Sequence, residues 1–286
     1  MSIKIDNLNY SYRQQSMERI DALKDVSCTI DDGDFVGIMG HTGCGKTTLI
    51  QLIAGLISPT SGHIYLDGED INDKSYDKNI LRQKMGVVFQ YPEYQLFETS
   101  VEKDLAFGLK YSGMNSKDMG SRVQWALETM GFDYEKIRSQ SPLALSGGEK
   151  RRVAIAGILA TKPGILIFDE PIAGLDPYGR QSFLQFIAKM NQSGTTVIMV
   201  SHNIEALCEY TKRLLVLDKG ELIESGDTRE VFKRLNNISN RILGITPSQK
   251  IVSLLSDSHI RLSSDIVTYE DLLSALKDEL NGGAKV

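Results

Sequence analysis

The chain has 286 residues, of which 41% are hydrophobic and 24% are charged, and this balance excludes a disordered or fibrous protein. Its net charge of −5 argues against a dominant basic surface for nucleic acid. No apolar run approaches the roughly 20 residues that cross a bilayer, so we expect any link to a membrane to come through a partner. Three cysteines, odd in number and without zinc-ligand spacing, are expected to be reduced thiols.

The first part of the chain is predicted to form strands, followed by a glycine loop and a helix. Apolar and polar residues alternate in IKIDNLNY, and VSCTI follows before a turn. The next segment, FVGIM, is a continuous apolar run, as a strand covered on both faces requires. Glycines come directly after it, and then KTTLIQLIAGL has helical spacing. The sequence therefore predicts a buried strand, a glycine loop and a helix in succession.

The glycine loop has the sequence GHTGCGKT and fits the phosphate-loop pattern GxxxxGK[ST] in its required strand and helix context. Glycines let backbone amides point at phosphate oxygens, and the helix N-terminus adds its positive end. We expect the Lys46 ammonium to reach the β- and γ-phosphates and the Thr47 hydroxyl to bind Mg²⁺. The chain is thus predicted to bind a nucleoside triphosphate. The residues assigned to this site are Gly40, His41, Thr42, Gly43, Cys44, Gly45, Lys46, Thr47 and Thr48.

The middle of the chain alternates strand and helix patterns, which favours a mostly parallel sheet covered by helices on both faces. Short strands are predicted between residues 62 and 90, and a helical block at about 97–160 is a candidate subdomain. Buried strands follow at GILIFDE and TTVIMVSH. From residue 228 to 286 the composition changes, and the sequence pattern predicts short helices. We therefore predict a nucleotide-binding domain over 1–227 and a C-terminal helical extension that serves packing or dimerisation.

Two carboxylates end the strand ILIFDE, at the sheet edge where α/β proteins place their ligands. We expect Asp169 to hold the Mg²⁺ shell and Glu170 to orient or deprotonate an attacking water. A buried strand that simply runs into a solvated acidic turn is the plain alternative. The position downstream of a phosphate loop favours the catalytic interpretation.

A second candidate anion site lies in LSGGE, far along the chain from the first. Ser146 and Glu149 have the spacing of a capping box, and Gly147 and Gly148 bare the amides of the helix N-terminus. A single nucleotide rarely needs two glycine-rich cradles from one domain. We therefore interpret this site as serving a nucleotide held by another chain.

The order and spacing of GHTGCGKT, Gln90, LSGGE, ILIFDEP, AGLD and His202 resemble ATP-binding cassette (ABC) ATPases over residues 1–230. The resemblance implies an α/β P-loop fold with a mostly parallel core sheet, an N-terminal antiparallel β subdomain, a helical signature subdomain and a short helical tail. It also implies that two cassettes meet head to tail and enclose two ATP molecules.

The resemblance assigns further roles by motif. It implies that Gln90 senses Mg²⁺ and the attacking water, that Asp176 of AGLD signals across the dimer and that His202 contacts the γ-phosphate. Tyr12 resembles the aromatic residue that stacks on adenine, with Tyr10 as the weaker candidate. In isolation each of these residues would have a purely structural explanation, as a helix cap, a packing residue or a strand end. Their joint order favours the functional one.

Two positions depart from the family pattern. Glu149 stands where the family more often has Gln, and Ile172 replaces the Thr of DEPT. Neither change removes a phosphate ligand, so we expect at most an altered rate. The chain carries one copy of each motif, and a complete enzyme therefore requires a second cassette.

The stretch that follows Gln90, YPEYQLFETSVEKDLAFG, resembles the ATPases of energy-coupling factor (ECF) transporters, specifically the second A-type subunit, A′. The resemblance implies a complex with an A-type cassette, a transmembrane coupling subunit T and a substrate-binding membrane subunit S. Such complexes import vitamins or transition metals into prokaryotic cells, and the resemblance implies that this chain lies peripherally at the cytoplasmic face of the cell membrane. The alternatives are the ATPase of a binding-protein-dependent importer and a soluble, non-transport ABC ATPase.

Within that stretch we expect an apolar groove with an anchoring charge, because aromatic anchors supply burial and a paired charge fixes orientation. Our hypothesis is that Glu93 receives a basic residue of T. The alternative is that the aromatic residues simply pack the helical subdomain. The residues predicted to contact the partner are Tyr91, Glu93, Tyr94, Leu96 and Phe97.

Overall fold

The computed structural model describes residues 1–13, 19–110, 113–237, 246–256, 262–263 and 266–282, which form two sheets and eleven labelled helices within these ranges. The strands are β1 (Ile3–Arg13), β2 (Arg19–Ile30), β3 (Phe35–Gly40), β4 (Ser61–Leu66), β5 (Glu69–Asp70), β6 (Met85–Val88), β7 (Ile165–Asp169), β8 (Thr196–Val200), β9 (Arg213–Asp218) and β10 (Glu221–Asp227). The helices are α1 (Lys46–Ile53), α2 (Lys78–Lys84), α3 (Val101–Leu109), α4 (Ser116–Thr129), α5 (Tyr134–Ile137), α6 (Gly147–Leu159), α7 (Pro177–Gln192), α8 (Ile204–Tyr210), α9 (Thr228–Asn237), α10 (Pro247–Ser256) and α11 (Tyr269–Gly282).

The larger sheet has the strand order β10-β9-β3-β8-β7-β6. All of its neighbours pair in parallel except β9 and β10, which form an antiparallel hairpin. Every residue of β3, β7 and β8 is buried, because helices cover both faces of the sheet. The mostly parallel core sheet predicted from the sequence is confirmed, and the carboxyl ends of β3, β6, β7 and β8 meet at one edge.

The smaller sheet is antiparallel, with the order β2-β1-β4-β5, and it confirms the predicted N-terminal β subdomain. Strands β1 and β2 pair from Ile3–Ile30 at one end to Arg13–Arg19 at the other. Their inward side chains share a core with α1 and with the underside of the large sheet. The sheet therefore holds the outer end of the hairpin next to the phosphate loop.

Helices α3 to α6 form a block with its own apolar core. Leu105 of α3, Leu127 of α4 and Val153 of α6 meet there, and all three are buried. The opposite side of α6 reaches the core of the large sheet through Ile155 and Leu159. Helix α6 is thus shared by the helical block and the sheet, and it joins them mechanically.

One predicted segment differs from the structure. The chain from residue 62 to residue 90 was expected to contain only short strands, yet α2 lies within it. Asp77 begins this helix by accepting a hydrogen bond from the Asn79 amide, and only Leu81 of the helix is buried. A helix of seven residues with one buried side chain has no apolar periodicity to reveal it.

The tail packs on the rest of the chain. Phe232 of α9 and Val267, just before α11, belong to the core beneath the large sheet. Arg229 Nη1 lies 3.3 Å from Asp271 Oδ1, and Ser248 Oγ donates to Glu205 Oε1 over 3.2 Å. These contacts account for packing, and the dimerisation part of the expectation stays a prediction. Within the described ranges, no helix combines the length and the apolar character needed to cross a bilayer.

The start of β3 is fixed by a side chain from α7. Asn191, which is buried, donates from Nδ2 to the carbonyls of Gly33, Asp34 and Thr195 at 2.9–3.1 Å. Asn191→Ala leaves those carbonyls without this partner, and we expect the free energy of unfolding to fall by about 1–3 kcal/mol. Chemical denaturation measures the change. Gln192→Ala, at an exposed neighbouring position, is the control, and an equal loss in both variants would contradict the assignment.

Candidate nucleotide-binding and coupling sites

Four strand ends supply one cavity of about 600 Å³ at the carboxyl edge of the large sheet. The loop after β3, Gln90 after β6, the carboxylates at the end of β7 and His202 after β8 all contribute. The sequence-predicted residues on its wall are Tyr12, Thr42, Gly43, Gly45, Lys46, Thr47, Thr48, Gln90, Asp169, Glu170 and His202. Gly40, His41 and Cys44 lie in the same loop but do not line the cavity.

The glycine loop is wound around the Lys46 side chain. Lys46 Nζ donates to the carbonyls of Gly40 and His41 at 2.7 and 2.8 Å. Gly40 and Gly45 have φ angles of 151° and 108°, and a side chain at either position would collide with a backbone carbonyl. Helix α1 begins directly after the loop and adds its positive end. The result is a cationic cradle that suits a chain of phosphates.

A set of oxygen ligands lies beside this cradle. Thr47 Oγ1 donates to Asp169 Oδ2 over 3.2 Å, and Gln90 lines the same cavity. Burial raises the pKa of Asp169, and the hydrogen bond from Thr47 together with the Lys46 charge opposes that rise. Hydroxyl, carboxylate and amide oxygens are the hard donors that Mg²⁺ prefers. These residues therefore fit a magnesium ion bound next to phosphate.

Glu170 sits on a left-handed backbone, with φ at 49°. Its amide donates to the Val200 carbonyl over 3.0 Å, and its Oε2 accepts from the His202 amide over 3.4 Å. His202 Nε2 is 3.3 Å from Oε1 of Glu170, which is buried and accepts no hydrogen bond from the described residues. A non-glycine residue in this conformation is uncommon and is held there by its surroundings.

The environment tunes both side chains. Burial raises the pKa of Glu170 to about 7, against the opposing effect of the His202 amide. Burial, together with the positive charges of Lys46 and His41, lowers the pKa of His202. A carboxylate with a pKa near neutrality can both accept and return a proton at physiological pH. The pair is therefore suited to general acid–base chemistry at the end of a phosphate chain.

Tyr12 stands at the mouth of the cavity. Its side chain is 41% exposed, its hydroxyl lies 3.1 Å from Thr48 Oγ1, and its ring meets that of Tyr10 edge-on at 4.9 Å. Tyr10 packs against the apolar core and does not line the cavity. Tyr12 is therefore the better placed of the two to stack on a base.

The signature residues lie away from this cavity. The Ser146 hydroxyl and amide both donate to Glu149 Oε2, at 2.7 and 2.9 Å, and the Glu149 amide donates back to Ser146 Oγ. Gly147 and Gly148 are exposed, and Asp176 caps α7 by accepting from the Gly179 amide. The structure does not bring these residues to the phosphate loop of their own chain. A role for them toward the nucleotide of another chain stays a prediction.

The segment after Gln90 makes a sharp change of direction. Tyr91 has a left-handed backbone and begins a 3₁₀ turn over Pro92–Gln95. Tyr94 and Phe97 are 84% and 64% exposed. Leu96 and Phe97 line a groove of about 340 Å³ between this segment, α3 and α6. Exposed aromatic side chains beside a groove are typical of a contact with another protein.

Glu93 points differently from its neighbours. It is half-buried, and its Oε2 is buried and makes no hydrogen bond with the described residues. Its negative charge acts on the Arg151 guanidinium of α6. Glu93 is therefore less exposed than the aromatic side chains of Tyr91, Tyr94 and Phe97. Contact of Glu93 with a partner stays a prediction.

Sequence reasoning missed several residues of both sites. Ile20, Asp21 and Ala22 of β2 line the nucleotide cavity opposite the phosphate loop, through a strand pairing that no local motif encodes. Asp104 lines the groove and accepts from the amides of Phe97 and Glu98. Phe107 meets Phe97 edge-on at 4.9 Å. The helical spacing of α3 would have been the available signal for these last two residues.

Comparisons with known proteins place the chain in a family. Residues 23–173 match the family model described as ABC transporter. The chain is 43% identical to the energy-coupling factor transporter ATP-binding protein EcfA2 of Clostridium perfringens, covering 96% of this chain and 97% of that one. It is 44% identical to the protein of the same name from Clostridium acetobutylicum, covering 94% and 95%.

Two solved structures are also similar. The cbiO1 protein of Clostridium perfringens, described as part of the ABC transporter complex cbiONQ, is 35% identical, with a TM-score of 0.70 over 84% of this chain and 96% of that one. The cassette MJ0796, solved as a dimer bound to ADP and phosphate after hydrolysis, is 31% identical, with a TM-score of 0.70 over 79% and 98%.

Proposed function

The chain belongs to the ABC transporter family, among its energy-coupling factor ATP-binding proteins, and we propose that it is one of two cassettes that drive a micronutrient importer from the cytoplasmic face of the membrane. It is an ATP-hydrolysing transport subunit. The observation that supports the proposal is that the phosphate loop, Asp169, Glu170 and His202 all line one cavity.

The roles of the cavity residues follow from their positions. We propose that Lys46 and the loop amides hold the β- and γ-phosphates, with the adenine stacked on Tyr12. Glu170 accepts a proton from a water molecule as the water oxygen attacks the γ-phosphorus and the bond from that phosphorus to ADP breaks. His202 contacts the γ-phosphate. Thr47, Gln90 and Asp169 would hold Mg²⁺, which would neutralise phosphate charge when bound.

A second cassette completes each site in this proposal. Ser146, Gly147, Gly148 and Asp176 lie outside the cavity of their own chain, and the amides of the two glycines are exposed for an anion. The partner would be an A-type cassette, meeting this chain head to tail. Its phosphate loop would face this chain's signature, and this chain's phosphate loop would face the partner's signature.

The groove beside the aromatic segment is the proposed seat of the coupling subunit T. Leu96, Phe97 and Phe107 offer apolar surface, and Asp104 and Arg82 lie at its wall. A helix end from T seated here would touch α6, which also carries the signature. The subunit S would bind the cargo and contact T. The relatives named as energy-coupling factor proteins favour this assignment over a binding-protein-dependent importer or a non-transport ATPase.

Glu170→Gln tests the proposed chemistry. An amide cannot take a proton from water, so we expect hydrolysis at this chain's phosphate loop to fall by about 100-fold or more. ATP affinity should stay within about twofold, because the cradle is intact. Single-turnover hydrolysis by the assembled complex and ATP binding by the isolated chain measure the two effects. Glu135→Gln, at a side chain 72% exposed, is the control, and undiminished turnover in Glu170→Gln would refute the role.

Glu149→Gln tests the signature. The Ser146 side chain and amide donate to Glu149 and lower the pKa of its carboxyl, so it is charged at neutral pH. Removing this exposed negative charge beside a proposed γ-phosphate site should lower the half-saturating ATP concentration about two- to fivefold. Because the pKa is lowered, the difference should persist from about pH 8 to about pH 6 and vanish only as pH falls through the Glu149 pKa. An unchanged ATP requirement would contradict the prediction.

Phe97→Ser and Glu93→Arg test the groove and the predicted anchoring charge. We expect either change to reduce co-purification with the membrane subunits by about tenfold or more, since buried anchors dominate interface energy. ATP binding by the isolated chain should be spared. Leu56→Ser removes an apolar side chain of comparable exposure, 58% against 64% for Phe97, and should leave assembly intact. Normal assembly and uptake with Glu93→Arg would exclude that residue as the anchor.

A further inference from the structure

Arg151 is an arginine enclosed by the protein. It lies on α6, five residues after Ser146, and only 8% of it is exposed. Its Nη1 donates to the Ala173 carbonyl over 2.9 Å, and its Nη2 donates to the Pro171 carbonyl. Both carbonyls belong to residues 171–175, the turn that joins Glu170 to Asp176. One guanidinium therefore binds this turn through two hydrogen bonds.

The surroundings of Arg151 make its burial costly. Among the described residues its guanidinium forms no ion pair, and its Nε is buried without a hydrogen-bond acceptor. Burial lowers the pKa of Arg151, and the negative charge of Glu93 opposes that effect. A buried charge without close pairing costs free energy, and an apolar side chain would fill the same space at less cost. Stability alone therefore gives no reason for an arginine here.

Apart from Arg151, the turn 171–175 is held by the packing of Ile172 in the core of the large sheet and by two local hydrogen bonds. Within it, the Ala173 amide donates to the Glu170 carbonyl and the Leu175 amide donates to the Ile172 carbonyl, both three residues away. In the described part of the chain, the hydrogen bonds from Arg151 are the ones that connect residues 171–175 to a distant element. The left-handed backbone of Glu170 comes directly before this turn. A planar guanidinium with two parallel donors can fix such a turn in both position and orientation.

We propose that Arg151 is a positioning residue for ATP hydrolysis. It holds the turn 171–175 against the signature helix, so that Glu170 on one side and Asp176 on the other keep their places. The 3₁₀ turn Pro92–Gln95, which contains Glu93, packs against α6 and brings a third segment to the helix that carries Arg151. The inference rests on the roles proposed above for Glu170 and Asp176.

Arg151→Met and Arg151→Lys test the inference in the assembled transporter complex. We expect Arg151→Met to lower kcat for ATP about tenfold, with the KM for ATP within about twofold, because a misplaced Glu170 slows the reaction without disturbing the phosphate cradle. Arg151→Lys keeps the charge but offers one donor nitrogen in place of the two that Arg151 uses, so it should recover part of kcat. If Arg151→Met does not assemble, Arg151→Lys alone should still show the reduced kcat at unchanged KM.

Arg138→Met, which removes an arginine 42% exposed on the same helical block, should leave kcat unchanged. The inference is overturned if both Arg151 variants keep wild-type kcat, or if kcat and ATP affinity fall together with no recovery in Arg151→Lys. The proposed function fails separately: normal turnover in Glu170→Gln would remove the role of that residue whatever the Arg151 variants do.

Discussion

The parallel alignment of β6, β7, β8 and β3 is the constraint on which the rest of the molecule depends. Parallel strands end at a common edge, so four segments from distant parts of the sequence meet there. The register is close: Asp169 pairs with Val200, and Ile38 pairs with Val200 from the other side. A shift of one residue would turn the carboxylates away from the phosphate loop.

Helix α6 belongs both to the helical block and to the layer that covers the large sheet. Its one face closes the core of the helical block and its other face packs on the sheet. The N-terminus of α6 carries the signature, and Arg151 of the same helix binds the turn after Glu170. Gly157 of α6 and Thr161, just past the end of the helix, line the coupling groove. A displacement at the groove would therefore reach both the signature and the turn after Glu170 through this one helix.

The sequence predicted the sheet, the phosphate loop and the carboxylate pair because each is encoded locally. A buried strand, glycines and a helix must follow one another for GHTGCGKT to work, and ILIFDE places two carboxylates at a strand end by itself. The wall formed by Ile20 and the contacts of Arg151 depend on which elements pack together, and a single sequence does not reveal that. Glu93 illustrates the difference, because its aromatic neighbours are exposed while one oxygen of its own carboxylate is buried.

The position of β3 also governs when the cassette can form during synthesis. This strand ends at residue 40, yet its two partners in the sheet are β8 and β9, which end at residues 200 and 218. The phosphate loop therefore leaves the ribosome long before its supporting sheet exists, and an apolar strand waits without its neighbours while some 180 residues are added at roughly 5–20 residues per second. The catalytic architecture is assembled late, by closure of the most distant contacts in the sheet, and a folding intermediate of this chain would expose the apolar strand β3 to aggregation or to chaperones.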